Sequence, residues 1–261
     1  MLEISLSKKV AIVTGGASGL GKAIALKLAE AGAVVTISDI NFEGAKETVN
    51  EIKAMGQKSI AVKTDITKSN EVCSLVETTI KEFGDLHIMI NAAGMGIMKP
   101  VCDFADSEID KILDLNLKGT IYGTKEALKH MIPNKDGKIV NISSVAAKNA
   151  SPGTSMYAAT KSGVIAFSKA VAREVAHDNI NINIICPGII KTPMWTAQLK
   201  TMADSVEEQN KIFDSYIEKE IPLNRPQEPE DIANIIVYLC SEQGKNITAQ
   251  DINVDGGSIV F

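Results

Sequence analysis

The chain has 261 residues, 45% of them hydrophobic and 23% charged, with a net charge of −5. That size and balance predict one large α/β domain with a substantial core, and the acidic charge without a basic stripe argues against nucleic acid as a partner. No apolar run reaches the length of a membrane span. Met1-Leu2-Glu3-Ile4-Ser5 carries no basic region followed by an apolar core, so no secretory signal is expected and the expected location is the cytoplasm. Cys73, Cys102, Cys186 and Cys240 are scattered and read as free thiols of a reducing compartment. His87, His130 and His177 are equally dispersed, so no metal site is expected.

Strand and helix signals alternate along the chain. Val10–Val13 is a short β run, Gly19–Ala31 a helix, Ala33–Ser38 a strand and Phe42–Met55 a helix. Ser59–Lys63 is the third strand, followed by a helix over about Asn70–Phe83 and an apolar run at Leu86–Ile90. A single long helix is predicted over about Ser107–Ile132, stopped by Pro133. Lys138–Ile142 is the fifth strand. The next helix carries Tyr157 and runs to about His177, and Ile180–Ile185 is the sixth strand. Residues 189–228 read as irregular or short helices and as a substrate lid. Pro229 opens a helix through Leu239 with Glu230 and Asp231 in its first turn, and Asp251–Val254 closes the sheet. Such alternation implies right-handed βαβ crossovers and a parallel, doubly wound Rossmann-type sheet with helices on both faces. No linker, repeat or low-complexity tract interrupts it, so residues 1–261 form one domain.

After the first strand comes Thr14-Gly-Gly-Ala-Ser-Gly-Leu-Gly21. Gly15, Gly19 and Gly21 let backbone approach a pyrophosphate that the helix N-terminus attracts, with Ser18 and Leu20 in the same turn. Asp39 ends the second strand, eighteen residues past Gly21. A carboxylate there accepts hydrogen bonds from an adenosine ribose and repels a 2′-phosphate, which predicts NAD over NADP. The bland alternative is that Asp39 terminates its strand and caps the next helix. Lys22 is the nearest cation. Asp65 with Ile66, and Asn91-Ala92-Ala93-Gly94, lie at the carboxyl ends of the third and fourth strands, where open α/β sheets bind ligands; ordinary turn chemistry is the competing reading.

Tyr157 and Lys161 are four apart and share one helix face. A lysine charge beside a phenol favours the phenolate, so a lowered tyrosine pKa and proton transfer near neutral pH are expected. Asn116 falls on the apolar stripe Ile109, Ile112, Leu113, where a polar amide needs partners. Either it is a structural amide bonded to backbone or it holds a catalytic water. Ser144 ends the fifth strand at the ligand edge, and alternation turns Ser143 the other way.

Thr14-Gly-x-x-x-Gly-x-Gly21, Asn91-Ala-Ala-Gly94, Asn116, Ser144, Tyr157-x-x-x-Lys161 and Pro187-Gly-x-x-x-Thr192 resemble, in order, the motifs of the short-chain dehydrogenase/reductase family. The resemblance runs from Val10 to Gly257, with Ala92 in place of a common second asparagine. It implies a seven-stranded sheet, a homotetramer and an NAD(H)-dependent enzyme interconverting a secondary alcohol and a ketone. It assigns Tyr157 as acid/base and Ser144 as orienter of the substrate oxygen. Lys161 then holds the nicotinamide ribose, Asn116 a relay water, and Pro187, Gly188, Ile190 and Thr192 the carboxamide end. Within the family, Cys186–Trp195 and Pro222–Asp231 are similar to acetoin reductases and 2,3-butanediol dehydrogenases, with polyol dehydrogenases sharing parts. Val145 stands where those diol enzymes often carry a polar residue. Met95, Ile97, Met98, Val145, Met156, Met194 and Trp195 could instead line an apolar pocket for a hydroxysteroid, or pack a lid. Lys148 and Lys191 keep a phosphorylated substrate open. A 3-oxoacyl-carrier-protein reductase and a non-catalytic NAD-binding regulator are the remaining alternatives. The apolar end Ser258–Phe261 could pack at a subunit interface.

Overall fold

The computed structural model describes residues 4–190 and 192–260, apart from the side chains of Pro193, Met194 and Thr201. Seven strands form one parallel sheet: β1 (Val10–Thr14), β2 (Val34–Asp39), β3 (Ser59–Lys63), β4 (Ile88–Asn91), β5 (Gly137–Ile142), β6 (Ile180–Pro187) and β7 (Asp251–Val254). Their spatial order is β3-β2-β1-β4-β5-β6-β7. The chain therefore winds outward from β1 to β3 and then restarts at β4 on the other side of β1. The crevice between the carboxyl ends of β1 and β4 is the switch point at which such sheets take ligands.

Burial on both faces explains the sequence of the central strands. Ala11 and Val13 of β1 enter one core layer while Ile12 enters the other. The first layer is covered by α1 (Gly19–Glu30), α2 (Phe42–Ala54) and α9 (Pro229–Cys240). The second is covered by α3 (Ser69–Phe83), α5 (Gly119–Asn134) and α6 (Ser155–Val175). Full burial of a Leu or Ile in these layers contributes roughly 1.5–3 kcal/mol. Among the described residues no helix is long and apolar enough to cross a membrane, and no cluster of His, Cys, Asp and Glu could hold a metal. All four cysteines are free thiols.

The single long helix expected over 107–132 is in fact broken. α4 (Asp106–Leu113) passes through a widened π turn at Asp114–Lys118 into α5. At the break the Gly119 N–H donates back to Asp114 O, and the Thr120 hydroxyl donates to Asn116 O at 2.9 Å. Such back-bonding competes with the regular ladder and bends a helix. α5 also runs past the expected stop, with Pro133 inside its last turn and Lys135 in the left-handed region (φ 50°). A proline so close to the end forfeits little of the helix ladder.

Residues 189–228 are more regular than expected. They hold α7 (Pro193–Met202) and α8 (Val206–Glu220), packed around Leu199, Phe213, Ile217 and Ile221. Ser205 caps α8 by accepting from Glu208 N at 3.2 Å, a Ser-x-x-Glu start signal visible in the sequence.

Candidate active site

The β1–α1 turn is built against β4. Thr14 Oγ1 accepts from Ala92 N at 3.1 Å and Ala93 N at 3.3 Å. Gly15 has φ 70°, and a Cβ there would lie 2.8 Å from Ala93 Cα. Gly21 allows the first turn of α1 to rest on the Gly15 carbonyl, which a Cβ would strike. Ser18 occupies the N-cap without a side-chain bond, and no acid sits in the first turn. The amides there, with Gly19 and Leu20, are left to attract an anion.

Asp39 closes this turn from β2. Its Oδ2 accepts from Ala17 N at 3.1 Å and its Oδ1 from Asn41 N at 2.9 Å. Each oxygen keeps acceptor capacity, and the cap of α2 is Asn41 rather than Asp39. Lys22 is drawn away to Glu51 at 2.7 Å. Ile40, unremarked in the sequence, follows Asp39 with 65% of its surface exposed at the ligand edge. An exposed isoleucine at a strand end was its only signal.

Asp65 makes a local turn, accepting from Thr67 N and Oγ1, and the Thr67 hydroxyl is the main cause holding its carboxyl below the usual range. Ile66 is buried against Gly119. The Asn91 side chain points into the core rather than the crevice. Its Nδ2 donates to Asn141 Oδ1 at 2.7 Å and Thr124 Oγ1 at 3.2 Å. Its Oδ1 is buried without a partner beside Gly123, so only its backbone lies at the ligand edge.

The remaining polar groups meet at the ends of β4 and β5. Ser144 Oγ accepts from Ala146 N at 3.1 Å, and the Ser144 hydroxyl acts to lower the Tyr157 pKa. Ser143 faces the other way, donating to Lys161 O at 2.9 Å. Lys161 is buried, donates to Ile142 O at 2.9 Å, and lies 5.8 Å from the Tyr157 ring centroid. Burial pulls its pKa down to about 8. The expected lowering of Tyr157 does not occur in this structure: burial pushes the phenol above its ordinary value and outweighs the lowering influence of the Ser144 hydroxyl. Asn116 is fully buried in the π turn. Its Oδ1 accepts from Met95 N at 2.8 Å, and its Nδ2 donates to Met95 O at 2.9 Å and Thr160 Oγ1 at 3.2 Å. These are the bonds of a structural amide, and Oδ1 keeps a second acceptor position. Gly94 leaves room here, since a Cβ would sit 3.2 Å from Asn116 Oδ1 and 3.4 Å from Lys161 Nζ.

Beyond β6, Pro187 ends the strand and Gly188 N donates to Val254 O. Ile190 is buried in a parallel bridge with Gln227. Thr192 is the N-cap of α7, without a side-chain capping bond. Trp195 of α7 packs on α8, edge-to-face with Phe213 (6.0 Å) and Tyr216 (5.7 Å). Val145 is half-buried in the turn after Ser144. Lys148 is not free to meet a phosphate, because it is bound to β7 through Asp251 and Asn253. The Met194 side chain and the residues Lys191 and Phe261 lie outside the described residues.

A parallel sheet with this switch point, glycine turn and Ser-Tyr-Lys group defines a dinucleotide-dependent oxidoreductase fold. Residues 15–258 match the family described as enoyl-(acyl carrier protein) reductase, and the chain belongs to the short-chain dehydrogenase/reductase family. It is an oxidoreductase of CH–OH and keto groups. It is 37% identical over 257 residues to a diacetyl reductase, (S)-acetoin forming, of Staphylococcus epidermidis, covering 96% of this chain and 98% of that one. A 3-oxoacyl-acyl-carrier-protein reductase of the same organism is 35% identical over 253 residues, covering 95% and 98%. The crystal structure of levodione reductase superposes with a TM-score of 0.92 at 30% identity, covering 98% of this chain and 99% of that one.

Proposed function

We propose that this protein is an NAD(H)-dependent reductase of a small diketone or hydroxyketone, of the diacetyl/acetoin type, running in reverse on the matching diol or polyol. The observation that carries the chemistry is the grouping of Ser144, Tyr157 and buried Lys161, whose Nζ lies 5.8 Å from the Tyr157 ring centroid, at the carboxyl edge that also bears the glycine turn. The cradle at Gly15 and Gly21, the uncapped α1 terminus and the free acceptor capacity of Asp39 fit a dinucleotide. Gly19, Leu20 and Ser18 would hold its pyrophosphate, with Ile66 and the backbones of Asp65, Asn91, Ala92 and Gly94 along its length. Lys161, Pro187, Gly188, Ile190 and Thr192 would hold the nicotinamide end. When bound, the nicotinamide supplies or accepts the hydride.

The protein's own part is the proton and the orientation. In reduction, Ser144 donates a hydrogen bond to the substrate carbonyl oxygen, and Tyr157 delivers a proton to that oxygen as it becomes an alcohol. A phenol held neutral by burial suits the donor role. Lys161, weakly basic in its buried setting, stabilises negative charge on the phenolate left behind. Asn116 fixes the Met95 backbone and α6 through Thr160.

Asp39 followed by Ile40, with Lys22 paired to Glu51, supports NAD over NADP, since the strand beside the glycine turn ends in a carboxylate that repels a 2′-phosphate. The diacetyl reductase likeness supports the small substrate. Reduction of a 3-oxoacyl thioester is the second reading, favoured by the 35% identical relative. A homotetramer is the assembly we infer. The test is loss of nicotinamide absorbance with NADH, then NADPH, against acetoin, diacetyl, fructose, a 3-oxoacyl thioester and an oxosteroid. Turnover with NADH and diacetyl or acetoin is the expected result. Preference for the thioester with NADPH would overturn both the substrate and the cofactor reading.

A further inference from the structure

β5 pairing with β6 ends at Ile142, and Ser143 N makes one further bond to Ile185 O at 2.8 Å. Ser144 therefore lies where the chain leaves the sheet, in a 3₁₀ turn over Val145–Ala147 with no ladder to hold it. Two side chains take over. Ser162 of α6 donates to Ala147 O at 2.9 Å. From the opposite side Lys148 reaches across β6 to the edge strand β7. Its Nζ donates to Asp251 O at 2.9 Å and Asn253 Oδ1 at 2.6 Å, and pairs with Asp251 Oδ2 at 3.0 Å. That gives three acceptors for three N–H bonds, with the lysine side chain only 14% exposed.

Asp251 is shared. Its other oxygen pairs with Lys169 of α6 at 2.5 Å, so one carboxylate joins the Ser144 turn, the Tyr157 helix and β7. Asn253 continues the link by donating to Ile259 O at 3.3 Å. We propose that Lys148 is a positioning residue: its strap to Asp251 and Asn253 fixes the turn that carries the Ser144 hydroxyl. This rests on the proposed roles of Ser144 and Tyr157. Misplacement of an orienting group by even an ångström is enough to slow such chemistry.

Lys148→Met is the clean variant, because Asp251 keeps Lys169 and no charge is stranded. It is expected to lower kcat by roughly 10- to 100-fold with little change in NADH affinity. It should also move the Tyr157 titration upward, as Ser144→Ala does, because the Ser144 hydroxyl acts to lower the phenol's pKa and a displaced hydroxyl no longer does. That titration is read as tyrosinate absorbance of each protein minus its Tyr157→Phe counterpart; the other groups near the phenol are Lys161 and Cys186. Adding Lys148→Met to Ser144→Ala should change neither quantity further, and Lys148→Arg should restore both. Wild-type kcat and an unmoved Tyr157 titration in Lys148→Met, whatever its melting temperature, would overturn the proposal. Should that variant fail to fold, Asn253→Leu removes one acceptor, leaves the ion pair, and must shift both readouts the same way. A wild type inactive on every ketone sinks the ketone reading, and the absorbance titration still decides for or against the strap.

Discussion

Lys161 lies one turn beyond Tyr157 on α6, its Nζ 5.8 Å from the Tyr157 ring centroid and donating to Ile142 O at the end of β5, so a helix and a strand end together hold the pair beside Ser144. Tyr157→Phe is expected to lower kcat for ketone reduction by roughly 10²- to 10⁴-fold while NADH still binds. Ser144→Ala, removing one donor to the developing oxyanion, should cost roughly 10²-fold. Because burial holds the phenol protonated, reduction should stay flat from neutral to mildly alkaline pH while oxidation, which needs the phenolate, rises. Stopped-flow rates in both directions check this. An unaffected Tyr157→Phe would remove Tyr157 from the chemistry.

Asp39 has two jobs, and they separate experimentally. Its carboxylate takes the amides of Ala17 and Asn41, and it faces the region proposed for the adenosine ribose. Asp39→Ala should raise relative NADPH use. It should also destabilise the protein by about 1–3 kcal/mol, since two amides lose a charged acceptor. Asp39→Asn keeps an acceptor for one amide, so it should recover part of the stability while still relaxing the cofactor choice. Steady-state kinetics with both nucleotides and urea unfolding give the two readouts. An unchanged ratio with lowered stability would reduce Asp39 to a fastener of the turn.

The sheet and its ligand edge were legible because burial on both faces makes apolar runs, and because glycines mark where backbone must come close. Helix continuity between residues 107 and 132 was not, because the break depends on Asn116 finding Met95, twenty-one residues away, and on Thr120 bonding backward. Asn91 shows the same limit. Its position at a strand end was readable, but its side-chain direction was set by Asn141 and Thr124 across the sheet. The pKa of Tyr157 was misjudged in sign because spacing reveals a neighbouring lysine and conceals desolvation. Lys148 looked like a free cation until Asp251 and Lys169 closed around it.

Trp195 is the sole tryptophan, and it sits in the small core between α7 and α8 against Phe213 and Tyr216, the segment proposed as a lid. Its emission therefore reports the α7–α8 packing directly. Phe213→Ala opens that core and should cost roughly 3–5 kcal/mol of local packing. The expected result is red-shifted emission, faster hydrogen exchange over 193–220 and a raised KM with the glycine turn unaffected. NADH binding should alter Trp195 emission in the wild type if the lid closes over the site. Emission and exchange that ignore both NADH and Phe213→Ala would mean that 189–228 is a fixed wall.

Lys161 gives a pH test of stability whose sign can be worked out. Burial brings its pKa to about 8 in the folded protein, against an ordinary value of 10.5, and the charge interaction it feels comes from Cys186, not a carboxylate. Between those two pH values the unfolded chain binds more protons than the native one, so folding stability should rise with pH, by up to about 1.4 kcal/mol per unit. Below pH 8 both states carry the charge and the native state bears the full cost of burying it. Lys161→Met removes the titration, so it should be more stable than the wild type at pH 7, with the gap narrowing as pH climbs. Tyr157 works the other way: its folded pKa is raised, so stability falls once the unfolded phenol begins to ionise near pH 10. The window is thus from about pH 8 to about pH 10, and comparing both proteins in a Tyr157→Phe background removes its upper edge. Urea unfolding at half-unit steps gives the curves. If wild type and Lys161→Met run parallel across that window, Lys161 keeps its charge to a higher pH than its burial dictates.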